Sequence, residues 1–150
     1  MAYAEGTNVP VERSLSDIVA MVKKAGAQRV AQAETEDGFA IQFFLSDRML
    51  RFRVPVPTWE EISDRRGARP ATEKERRATA EQKARQRARA LLLVIKAKME
   101  SVESGVETLE EAFLANVVMP DGKTIGELTL PAIEQAYVEG KQPPLLLPAY

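Results

Sequence analysis

The chain has 150 residues, 45% of them hydrophobic and 29% charged, with a formal net charge of −1, which is the size and balance of one folded domain. Cysteine and histidine are both absent, which excludes disulfides, thiolate nucleophiles, imidazole bases and the common zinc, haem and iron–sulfur ligand sets. The near-neutral total hides an asymmetry: residues 1–98 hold 19 Lys and Arg against 13 Asp and Glu, and residues 99–150 hold 2 against 9.

The longest apolar run, residues 90–95, is far shorter than a bilayer span. Residues 1–10 include Glu5 and Gly6 where a secretory leader needs a basic start and an apolar stretch. The expectation is a single cytoplasmic domain over residues 1–150 without membrane contact, with residues 1–12 as an extended arm.

Leu15, Ile18, Val19 and Val22 recur on one face of a helix expected over residues 15–25, with Ser14 and Asp17 as its capping pair and Gly26 as its stop. Three strands follow, at residues 28–35, 39–45 and 48–54. In the second, Phe39, Ile41, Phe43 and Leu45 alternate. In the third, Leu50, Phe52 and Val54 face one side while Arg51 and Arg53 face the other. With turns at Glu36-Asp37-Gly38 and Ser46-Asp47, they read as an antiparallel meander.

Pro55 and Pro57 end the sheet. Thr58 and Glu61 make a capping box around Trp59, which reads as a lid on the core or as an anchor for a partner. Residues 63–71, with Arg65, Arg66 and Arg69, read as an exposed basic loop without order of its own. Thr72 and Glu75 then open a helix with no breaker before Gly105, about 31 residues or on the order of 46 Å long.

That length exceeds the core's diameter, since a radius of gyration near 15 Å is expected for about 150 residues. The apolar stripe Ala84, Ala88, Leu91, Leu92, Ile95, Met99 and Val102 is heaviest in the C-terminal half, so the N-terminal half is expected to project. Thr108 and Glu111 cap a short helix, Pro120-Asp121-Gly122 is a turn, and Pro131 suits the first position of a last helix that ends at Gly140. Residues 141–150 form an extended tail around Leu145, Leu146 and Leu147. The fold class is α+β: an N-terminal helix, a three-stranded meander, a long basic helix, two short C-terminal helices and the tail.

Three stretches carry a resemblance: Tyr3 to Thr7 with Val9-Pro10 and Arg13-Ser14; Arg89-Ala90-Leu91 through Lys96 to Gly105; and Met119-Pro120-Asp121-Gly122-Lys123-Thr124 to Glu127. Over nearly the whole chain, the loop around residues 58–72 excepted, it resembles a family of small proteins encoded by bacteriophages and prophages. The resemblance implies an accessory role in the cytoplasm of an infected bacterium and brings no catalytic residues with it.

The long helix carries the sharpest candidate site. Lys74, Arg85, Arg89 and Lys96 fall along one flank of its apolar stripe, and Arg76, Lys83, Arg87 and Lys98 along the other, with Gln82, Gln86 and Leu93 outward. Two flanks suit snorkelling, in which aliphatic stems cover the edge of a core. They also suit phosphate contacts from Arg76, Lys83, Arg85, Arg87 and Arg89, joined by Arg51 and Arg53 if the sheet's polar face is open.

The order helix, three antiparallel strands, helix is shared with the double-stranded RNA-binding fold, here without that fold's histidine-bearing loop. Glu60-Glu61, Glu110-Glu111 and Asp121 have ordinary capping and turn roles, so no enzyme, metal or cofactor is expected. The leading function is sequence-independent nucleic-acid binding. The alternatives are an interaction protein that binds a host factor, with a possible anti-defence role, and sequestration of a small anionic signal molecule. Self-association is also expected, through Ala80, Ala84 and Ala88 or through the leucine tail.

Overall fold

The computed structural model describes residues 4–142; the expected leucine tail lies largely outside them. The fold is α+β. Helix α1 (Val11–Lys24) leads into strands β1 (Gln28–Thr35), β2 (Gly38–Leu45) and β3 (Arg48–Pro55), then a 3-10 turn at Trp59–Glu61 and a small hairpin of β4 (Arg65–Arg66) and β5 (Arg69–Pro70). Helix α2 (Glu73–Glu103), α3 (Leu109–Phe113), a second 3-10 turn (Leu114–Asn116) and α4 (Ile125–Glu139) complete it.

The sheet is an antiparallel meander in the order β1-β2-β3. Ser46 and Asp47 both take left-handed φ, 48° and 62°, which is what a two-residue turn needs to match the twist of its strands. The alternation places Phe39, Ile41, Phe43, Leu50 and Phe52 in one core with Ile18 and Val22 of α1 and with Ala88, Leu91, Leu92, Ile95 and Met99 of α2. Burying a side chain of this size stabilises by about 1.5–3 kcal/mol, so these rows dominate the fold. Gly105, at φ 77°, follows the end of α2 as expected.

Three boundaries differ from the sequence reading. Helix α1 begins at Val11 after Pro10, and Ser14 is buried on the same face as Ile18 and Val22 instead of capping. Spacing by four puts a small residue where the helix turns inward, and Asp17 pairs with Arg13 and Arg89. Helix α4 starts six residues before Pro131, because Thr124 and Glu127 form a full capping box and the helix continues through the proline. Gly126 permits this start to sit against the chain, since a Cβ there would lie 2.9 Å from the Ala115 carbonyl oxygen.

The third difference is the stretch over residues 63–71, which is ordered into the β4–β5 hairpin. Its ends are joined where the Ala71 N–H donates to the Asp64 carbonyl at 2.8 Å, and Arg66 and Arg69 both reach Glu75 of α2. A loop of like charges becomes a defined element because one carboxylate outside it gathers two of its arginines.

Segment Val117–Val118 meets the start of β3, where Val117 bridges to Leu50 and the Val118 N–H donates to the Met49 carbonyl, so the β3 edge is covered there. Of the alanine stripe on α2, Ala88 is buried in this chain's own core, while Ala80 and Ala84 are half-buried. No helix among the described residues is long and apolar enough to cross a membrane.

Candidate nucleic-acid interface

Glu75 organises the first turn of α2. It completes the capping box by accepting the Thr72 N–H at 2.9 Å, and it accepts Arg69 at 2.6 Å and Arg66 at 3.2 Å. The Arg69 hydrogen bond, then the Thr72 N–H, hold its carboxyl down to about 2, against an ordinary 4.5. The Arg69 guanidinium is correspondingly raised by Glu75.

This link has a pH consequence. Because the folded value lies below the unfolded one, the stabilisation is complete above about 4.5 and is lost as pH falls towards 2. Glu75→Gln is therefore expected to melt below the parent at pH 7, with the gap closing as pH drops through that window. Thermal melts at a series of pH values check it, and a gap independent of pH would show that Glu75 is not the titrating link.

On one flank of α2, Arg76, Lys83 and Arg87 are spaced by seven and four residues and so share a line along the helix. Arg76 donates to the carbonyls of Ile62 at 3.1 Å and Glu60 at 2.8 Å, and Arg87 donates to the carbonyl of Pro55. Trp59 lies beneath Arg76 and Arg77, whose guanidinium carbons are 5.1 and 4.6 Å from the ring centre. The indole thus serves as a platform for two cations, a third role beside the lid and the partner anchor considered from sequence.

Between this flank, the 3-10 turn and the hairpin is a cavity of about 670 Å³ lined by Arg65, Arg66, Arg76, Lys83 and Arg87 together with Glu61 and Glu75. Both carboxylates are engaged elsewhere, Glu61 with the Thr58 N–H and Glu75 as described. Among the described residues no carboxylate pairs with Arg65, Arg76, Lys83 or Arg87. A shallower depression on the other flank is lined by Lys74, Arg85 and Gln86, and Lys83 belongs to both.

The remaining sequence candidates are placed elsewhere. Arg89 pairs with Asp17 of α1 at 3.4 Å. Arg85 donates to Gln82, whose amide donates to the carbonyls of Glu5 and Thr7. The face carrying Gln82, read as outward, is thus covered by the N-terminal arm. Arg51 donates to the Gly122 carbonyl at 2.7 Å and Arg53 pairs with Glu127 at 3.5 Å. These two join the sheet to the C-terminal segment and do not meet the α2 cations. Lys98 donates to the Ala112 carbonyl and lies over Phe113, the snorkelled arrangement.

Arg65 and Arg66 also line the cavity, although the sequence marks them only as part of an exposed loop; their place beside Gly67, ahead of the capping Glu75, is the signal that points to them. Comparison with protein-family models, curated proteins and solved structures finds no match.

Proposed function

We propose that the protein binds nucleic acid through its phosphates, without reading sequence, as an accessory protein in the phage setting that its resemblance implies. The observation that supports this is the convergence of Arg65, Arg76, Lys83 and Arg87 on one cavity whose two carboxylates, Glu61 and Glu75, are engaged elsewhere, so that none of the four cations has an ion-pair partner among the described residues. Unneutralised cations held near one another store unfavourable repulsion that a polyanion relieves. Phosphate is the matching chemistry, because guanidinium forks address its oxygens and Lys83 adds a mobile charge. Two guanidiniums occupy the Trp59 ring, which favours contact with backbone over stacking with bases.

Binding is expected to be steep in salt and indifferent to base sequence. Four phosphates neutralised give a log–log slope of about −3.6 on duplex DNA, a loss of roughly a hundredfold to two-hundredfold in affinity between 50 and 200 mM salt. Lys83→Gln with Arg87→Gln removes two of four contacts and should bring the slope to about −1.8, while Lys24→Gln at the exposed end of α1 leaves it unchanged. Fluorescence anisotropy with labelled single and double strands reads this, and no binding at 50 mM salt on any strand would overturn the proposal.

A second reading rests on α4. Its outer half exposes Leu130, Ile133, Tyr137 and Val138, with Tyr137 89% exposed, on the acidic third of the chain. Such a stripe suits an interaction protein with a host partner or self-association. A flat nucleic-acid titration would shift the assignment to it.

A further inference from the structure

The cavity beside α2 gathers five cations, Arg65, Arg66, Arg76, Lys83 and Arg87, against two carboxylates, Glu61 and Glu75, that are already engaged within the fold. An internal phosphodiester carries one negative charge, whereas a terminal phosphate carries up to two and offers three acceptor oxygens. Four cations without a carboxylate partner among the described residues face a single cavity of about 670 Å³, a volume ordinary for a small-molecule site.

The donors are also held in place. Arg76 is fixed by two backbone carbonyls, Arg87 by Pro55 and Arg65 by Ala68. Each leaves N–H groups uncommitted out of the five a guanidinium carries. Arg66, drawn to Glu75, completes the wall on the hairpin side, and the hairpin is closed by the Ala71–Asp64 backbone bond.

We propose that this cavity takes a terminal phosphate, either on a nucleic-acid end or on a free nucleotide. The inference rests on the phosphate-binding reading above and narrows it from a strand's length to its end. Recognition is by charge and by oriented N–H donors, so the base attached to the phosphate matters little. Lys83 is exposed and has no fixed partner among the described residues, so its ammonium is free to reach the ligand.

The test uses the full chain and one labelled 12-nucleotide single strand in three forms: 5′-phosphorylated, 3′-phosphorylated, and hydroxyl at both ends. Inorganic pyrophosphate and ATP serve as unlabelled competitors against sulfate at equal ionic strength. One or both phosphorylated forms should bind at least about tenfold tighter than the hydroxyl form, the gain from one added charge-assisted hydrogen bond. Pyrophosphate should displace the strand where sulfate does not.

Lys83→Gln, which alters an exposed side chain and keeps the fold, should abolish the preference; Arg76→Gln should do the same if its thermal melt shows it folded. Equal affinity for all three strand forms, with no displacement by pyrophosphate, overturns the inference and leaves sequence-independent binding standing. Pyrophosphate or ATP bound with no strand bound supports the cavity as a free-nucleotide site and overturns the nucleic-acid function. Binding of neither overturns both.

Discussion

Phe113→Ala is expected to destabilise the protein by about 3–5 kcal/mol, the range for truncating a well-packed aromatic. Phe113 is fully buried, meets Phe52 edge to face with ring centres 6.1 Å apart, and carries Lys98 over its ring at 5.8 Å. It belongs to α3, a helix of only five residues that cannot hold itself together by its own hydrogen bonds. Its removal therefore empties a core site and also frees the segment that carries Val117 to the edge of β3. Urea denaturation of the variant gives the loss, and a value under 1 kcal/mol would mean that α3 is held by its cap alone.

Gly38→Ala is the second large effect, with an expected cost of about 3 kcal/mol, the upper end of the range for over-packing. A Cβ at Gly38 would overlap the Val54 carbonyl oxygen and come within 2.9 Å of the Val56 nitrogen. Both obstacles are backbone, and the Asp37 carbonyl accepts the Val56 N–H at 2.6 Å, so neither can turn aside as a side chain would. Gly6→Ala is the control, since nothing lies within 4 Å of a Cβ there; it should change stability by less than about 0.5 kcal/mol. Equal denaturation midpoints for the two variants would show that the start of β2 can move away from the Pro55 end of β3.

The elements with strong local signals were legible in the sequence. The meander is written in alternation over a few residues, and α2 in its Thr72–Glu75 box and its apolar spacing up to Gly105. Such patterns act through neighbours three or four positions away, or on the next strand, so the chain's order contains them. Helix α4 was misread because two local signals competed. Proline suits a helix start, but the capping box satisfies the Thr124 and Glu127 N–H groups, seven and four residues earlier, and one missing hydrogen bond at Pro131 does not break the helix.

What only the tertiary structure decided is which cations remain without a counter-charge. In sequence Arg76, Arg87 and Arg89 are the same side chain on one basic helix, and flank assignment cannot rank them. In the fold Arg89 meets Asp17, 72 residues away, and Arg53 meets Glu127, while Arg76 and Arg87 find only backbone carbonyls. Composition alone determined the soft limits: no thiol or imidazole chemistry, a basic stretch and an acidic end. The cavity exists because the hairpin, a turn and a helix flank converge, and electrostatic energy depends on distance in space, which local periodicity does not encode.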